Sequence, residues 1–219
     1  MFRPHGIAKE FYEQTKEKGF NLIDLTCPKV LEIHDMVEKY ANEDYYIIYI
    51  GEHGHPEVTA TESFCGKFYT VVETEEDIKK AIENLKTSKK EKVLIIAQTT
   101  FNLEKFDQLQ NQMKKSITKI TLEVKNSICD ATRFRQEETK EIARLVEAMI
   151  IIGGKKSSNT NKLFDIAKEN CQYAVHIETI KELDLEKIKK YQKVGVMAGA
   201  STPKESIDDT IKKLNALNV

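Results

Sequence analysis

Short apolar runs alternate with segments of helical spacing along the whole chain, and this rhythm constrains the fold more than any other feature. The plainest run is Tyr45-Tyr46-Ile47-Ile48-Tyr49-Ile50, unbroken by a polar residue. Similar strand-like runs fall at 20–25, 69–72, 93–97, 119–124, 148–152, 173–177 and 193–197. Continuous apolar runs of this length, bounded by turn residues, suit strands buried on both faces, as in parallel sheets covered by helices. Between them, helical patterns occupy 7–18, 28–41, 75–85, 103–115, 131–147, 159–168, 183–190 and 203–217. In the second of these Val30, Ile33, Val37 and Ala41 share one face, and Pro28 suits a first helical turn, as Pro203 does for the last helix. Strands alternating with helices predict parallel α/β units. The pattern restarts after Cys129, so residues of about 27–125 and 126–200 read as two related lobes.

Composition narrows the functional classes. With 34 Lys and Arg against 35 Asp and Glu the net charge is −1, and no element carries the basic excess expected of a nucleic-acid binder. The lysines between 86 and 92 read as a solvated helix end. No run approaches the roughly 18 apolar residues needed to cross a bilayer, and no signal peptide opens the chain, so the expectation is a cytoplasmic protein with neither a nucleic-acid nor a membrane partner. Its four cysteines, Cys27, Cys65, Cys129 and Cys171, lack CxxC spacing. In a reducing compartment each is either buried filler or chemistry.

In open parallel sheets ligands gather where strands end and helices begin. Cys27, in Leu25-Thr26-Cys27-Pro28, and Cys129, in Ile128-Cys129-Asp130-Ala131, both stand just before a helix. There the helix dipole and free N–H groups favour the thiolate, the form that ligates iron; two small buried fillers would look the same in sequence. Gln98-Thr99-Thr100 after the 93–97 strand reads as an ordinary cap. Gly153-Gly154-Lys155-Lys156-Ser157-Ser158-Asn159 follows the 148–152 strand and opens a helix, and Ala198-Gly199-Ala200-Ser201-Thr202-Pro203 repeats the theme. Glycines with hydroxyl and amide groups at a helix start suit a phosphate, although no GxxxxGK[ST] loop is present. His55 and Glu57 follow the 45–50 strand on the same presumed face. His34 reads as helix packing or surface, His176 as structural and His53 as ambiguous; Cys65 and Cys171 read as non-catalytic.

In order along the chain, His5-Gly6, Asp24-Leu25-Thr26-Cys27-Pro28, Gly54-His55-Pro56-Glu57-Val58, Gln98-Thr99-Thr100, Ile128-Cys129-Asp130-Ala131-Thr132, Ser157-Ser158-Asn159 and Ala198-Gly199-Ala200-Ser201 resemble the LytB/IspH family, the 4-hydroxy-3-methylbut-2-enyl diphosphate reductases. The resemblance implies an α/β fold of repeated three-layer lobes with small parallel sheets around a central site, and a [4Fe–4S] cluster. It implies cluster ligation by Cys27 and Cys129, and diphosphate binding by His5, His55, Ser157, Ser158, Asn159 and Ser201. Glu57 would deliver protons and Thr99 would hold the substrate's hydroxyl end. The implied partners are an allylic diphosphate substrate and an electron donor such as ferredoxin or flavodoxin. Members of that family carry a longer segment ahead of the position matching His5, with a third cysteine ligand and a further histidine. The expected organisation is therefore a remnant of the first lobe at 1–26, a second lobe at 27–125, a third at 126–202 and a C-terminal helix at 203–219. On that basis the chain would hold a labile cluster or none, and the alternative is a non-catalytic diphosphate- or partner-binding remnant.

Overall fold

The computed structural model describes residues 4–118 and 120–217. Its contacts divide the chain into two compact units, Met1–Cys129 and Asp130–Val219. Each is an α/β sandwich.

The first unit begins with α1 (Lys9–Glu17) and an irregular stretch, then runs α2 (Pro28–Asn42), β1 (Tyr46–Ile50), α3 (Pro56–Glu62), β2 (Tyr69–Val72), α4 (Glu75–Ser88), β3 (Lys92–Ala97), α5 (Leu103–Ser116) and β4 (Thr121–Lys125). Its four strands pair in parallel in the order β2-β1-β3-β4. Strand periodicity sends alternate residues to opposite faces. Tyr46, Ile48 and Ile50, with Val93, Ile95 and Ala97, meet Ile78, Ala81 and Leu85 of α4 and Phe106, Leu109 and Met113 of α5. Ile47 and Tyr49, with Leu94 and Ile96, meet Ile33 and Val37 of α2 and Val58 of α3. Both faces are covered, which is why β1 carries no polar alternation.

The second unit contains α6 (Asp130–Leu145), β5 (Ala148–Ile152), α7 (Ser158–Asn170), β6 (Tyr173–Ile177), a 3₁₀ turn (Ile180–Glu182), α8 (Leu185–Ile188), β7 (Val194–Ala198) and α9 (Lys204–Asn215). The sheet order is β6-β5-β7, again parallel. Ala148, Ile150 and Ile152 face Ile188 and Leu214, while Met149 and Ile151 face Ala143, Leu163 and Ala167. The expected repeated three-layer architecture with small parallel sheets is what forms.

Two expectations need correction. Residues 20–25 form no strand, and their apolar side chains are left in solvent, Phe20 at 66 % and Leu25 at 50 % exposure. A strand exists only through hydrogen bonds to a neighbour, and none of the seven strands pairs with this stretch. Its apolar composition could not reveal that. The helix expected over 183–190 shrinks to the single turn α8 beside the 3₁₀ turn. Three other expected spans reach past the described residues: Lys119 at the start of the 119–124 strand, Met1, Phe2 and Arg3 of the 1–26 segment, and Asn218 and Val219 of the 203–219 segment. Among the described residues no helix is long and apolar enough to cross a membrane.

Helix α4 is anchored by a capping box in which Asp77 accepts from the N–H groups of Glu73 and Thr74, both at 2.9 Å. His53 Nε2 lies 3.2 Å from the same oxygen, which gives the ambiguous histidine a structural partner. Burial pushes the Asp77 carboxyl up, but these donors outweigh it and hold it below its ordinary value. A depressed carboxyl stabilises the fold above its unfolded pKa, and that contribution is lost as pH falls through the folded value. Asp77→Ala should therefore cost about 1 kcal/mol near neutral pH. The difference from the parent, read from urea midpoints, should shrink in acid.

Candidate active site

In both sheets the chain first steps to one side of a central strand and then crosses to the other. The order reverses between β1 and β3 in the first unit and between β5 and β7 in the second. Loops leaving the carboxyl ends of such strand pairs diverge and open a crevice. The sequence-derived candidates Glu57, Thr99, Ser157 and Ser201 leave those ends.

In the first unit, β1 ends in the loop 51–55, where Gly54 takes φ +74°, and α3 starts at Pro56. Helix α3 was not legible as a helix, although Pro56 at its first position and a capping His55 are its start signals. His55 Nδ1 accepts from the Glu57 N–H at 3.1 Å, which puts the proton of a neutral ring on Nε2. His5 meets the His55 ring edge to face, centroids 5.4 Å apart. Glu57 is 1 % exposed. Its carboxylate accepts from the Thr99 N–H at 2.7 Å, the Thr99 hydroxyl at 2.5 Å and, more distantly, the Tyr49 hydroxyl at 3.4 Å. Burial dominates these bonds and raises the Glu57 pKa above the usual carboxylate range. A carboxyl so raised holds its proton more readily than an exposed one and can serve as a proton donor. Tyr49 was hidden in the apolar run; a tyrosine on a fully buried strand needs a polar partner, and that need was the available signal.

Both candidate thiols join this network through their backbones. The Cys129 N–H donates to the Thr99 carbonyl at 2.9 Å, and the Cys27 N–H donates to the Pro4 carbonyl, beside His5, also at 2.9 Å. Cys27 is the N-cap of α2, Cys129 directly precedes α6, and both are half-buried. Thiols so placed suit iron ligation. Among the described residues, however, no group of three or more His, Cys, Asp or Glu surrounds a common point. The described residues thus offer two candidate cysteine donors and do not complete a cluster site by themselves.

The remaining cysteines and histidines have structural roles. Cys65 is buried, burial pushes its thiol well up, and its Sγ donates to the Thr61 carbonyl. Cys171 Sγ bonds the Val146 carbonyl at 3.4 Å, and His176 Nε2 lies 2.9 Å from the Gly153 carbonyl. His34 is 2 % exposed and stacks on Phe64; burial lowers its pKa to about 4, so it packs as a neutral ring beneath the Gly6 turn.

In the second unit two loops converge on Thr160. A Cβ on Gly153 would lie 2.7 Å from Thr160 Oγ1, and one on Gly199 only 2.2 Å away, so both loops approach closely only because those positions are glycine. The Gly199 N–H and the Thr202 hydroxyl both donate to the Ile152 carbonyl at 2.9 Å, which brings the Ser201 loop beside the Ser157 loop. Ser157 caps α7 by accepting from the Thr160 N–H. Ser158 opens the helix, and Ser201 is exposed. Both polar atoms of the Asn159 side chain are buried with no hydrogen-bond partner among the described residues. An unpaired buried amide is costly unless something polar is meant to meet it.

Comparison with known proteins identifies the family. The family model described as LytB protein matches residues 1–215. The 4-hydroxy-3-methylbut-2-enyl diphosphate reductase of Clostridioides difficile (strain 630) is 37 % identical over 217 residues, covering 99 % of this chain and 75 % of its relative. That of Aquifex aeolicus (strain VF5) is 40 % identical over 220 residues, covering 99 % and 73 %. A solved structure of (E)-4-hydroxy-3-methyl-but-2-enyl diphosphate reductase, described as the terminal enzyme of the non-mevalonate pathway, superposes with a TM-score of 0.63 at 40 % identity, covering 98 % of this chain and 74 % of that one. The Plasmodium falciparum reductase superposes with a TM-score of 0.86 at 30 % identity, covering 99 % and 66 %. With matches of this extent to both the family model and its reductases, the chain belongs to the LytB protein family.

Proposed function

We propose that this chain is a 4-hydroxy-3-methylbut-2-enyl diphosphate reductase that removes the substrate's hydroxyl as water and yields isopentenyl and dimethylallyl diphosphates. Replacing an allylic hydroxyl by hydrogen consumes two electrons and two protons. The observation that carries the reading is the Glu57 carboxyl, buried, raised in pKa and bonded to both the N–H and the hydroxyl of Thr99. Glu57 delivers a proton to the departing hydroxyl, and Thr99 orients that carboxyl and the substrate's hydroxyl end. His5 and His55 in the first unit, and Ser157, Ser158, Asn159 and Ser201 in the second, are the diphosphate donors in this reading. Electrons come from a ferredoxin- or flavodoxin-like donor in the cytoplasm. The family is an iron–sulfur family, and Cys27 and Cys129 are assigned here as two of the thiolates that hold its [4Fe–4S] cluster, which supplies the electron-transfer chemistry when bound. The described residues supply too few donors to complete that cluster by themselves.

The test is anaerobic assay of the chain with the substrate and a low-potential reductant, after treatment with iron and sulfide. Both products should form, and Cys27→Ser or Cys129→Ser should abolish them. A second reading, a diphosphate-binding protein without redox chemistry, is favoured by the count of only two candidate thiols. Protection of the fold by pyrophosphate with no product would establish that reading and remove the first.

A further inference from the structure

Lys162 lies on α7, one turn beyond Ser158, and is 8 % exposed, unusual for a lysine. Its ammonium donates to Ser158 Oγ at 2.7 Å. An ammonium has three protons and no lone pair, so the serine oxygen accepts in this bond. Occupying that lone pair leaves the Ser158 proton to be donated elsewhere, and a neighbouring cation makes the hydroxyl a stronger donor. We propose that Lys162 is a positioning residue for a phosphate group: it fixes Ser158 as a donor and places a positive charge one hydrogen bond behind it. The inference rests on the diphosphate reading of the Ser157–Asn159 turn given above.

Three further features fit the role. Ser158 stands at the first position of α7, where N–H groups and the dipole already favour an anion. The neighbouring Asn159 amide is buried without a partner among the described residues. Glu178 and Glu182 are engaged at the start of the loop, with the Lys155 N–H and ammonium respectively. Lys162 is hydrogen-bonded to a proposed phosphate donor.

The test uses the 219-residue chain, with inorganic pyrophosphate as the probe and titration calorimetry as the readout. Lys162→Met, which keeps the buried stem, should weaken binding on the order of tenfold, the weight of one hydrogen bond to a charged group. Ser158→Ala should weaken it to a similar extent. Because Lys162 acts in part through Ser158, the loss in the double variant should be smaller than the product of the two single losses. Lys162→Arg should restore at least half of the lost affinity. Thermal melts of each variant separate unfolding from loss of binding, and Ser158→Ala and Lys162→Arg remain informative should Lys162→Met fail to fold. Losses that multiply in the double variant, or parental affinity in Lys162→Met, would overturn the positioning role and leave the diphosphate reading standing. Absence of pyrophosphate binding by the parent chain would overturn both.

Discussion

Glu57→Gln is expected to lower turnover by a factor on the order of 10²–10⁴ while leaving the fold and the affinity for pyrophosphate close to the parent. Glutamine has the same shape, so it can still accept from the Thr99 N–H and can donate its amide proton to the Thr99 hydroxyl. What it lacks is an acidic proton. The stability effect has a definite sign. Burial raises the Glu57 pKa in the folded state, so between the unfolded and folded values the folded chain binds more protons than the unfolded one. Stability contributed by this group is therefore full below the unfolded value and falls as pH rises through the folded one. Glu57→Gln, which cannot ionise, should be as stable as the parent in acid and at least as stable above neutrality. Near-parental turnover in Glu57→Gln would remove Glu57 from the mechanism. A large loss of stability at neutral pH would show that its charge is structural.

Ile150→Ala should destabilise the second unit by about 2–5 kcal/mol. Ile150 is fully buried at the middle of β5, the central strand of a three-stranded sheet, and its neighbours include Val175 and Val196 on the flanking strands. Removing its branched side chain leaves a void bounded by strands on both sides, which cannot collapse without moving hydrogen-bonded backbone. Such a loss is a large share of the 5–15 kcal/mol that a typical domain has in total. Hydrogen exchange should show it as faster exchange of β5, β6 and β7 amides, with β1 and β3 unchanged. Unaltered protection of β5 would contradict the packing described for this unit.

The parts of this protein legible in the sequence are those that depend on local periodicity. Ile47-Ile48-Tyr49-Ile50 and Met149-Ile150-Ile151-Ile152 are apolar on both faces, and that pattern requires a strand covered on both sides. Cys27 and Ser157 stand where helices begin, because capping is decided within a few residues. Glu57 could be picked out by its place after a strand, and Thr99, which alone reads as a cap, only through the family resemblance. Their bond could not, since it joins positions 42 apart through the pairing of β1 with β3.

Contacts over long sequence separations were decided only by the tertiary structure. Residues 20–25 have the composition of a strand, but strand formation needs a hydrogen-bonding neighbour, which periodicity cannot supply. The raised pKa of Glu57 exists because tertiary packing buries it, against the lowering effect of its bonds to Thr99 and Tyr49, not because it is a glutamate beside a histidine. Lys162 reads in sequence as one more surface lysine of a charged helix. Its burial is set by tertiary packing, which the charged pattern of the helix does not reveal. Sequence settled which residues could do chemistry; desolvation and strand order decided which of them meet.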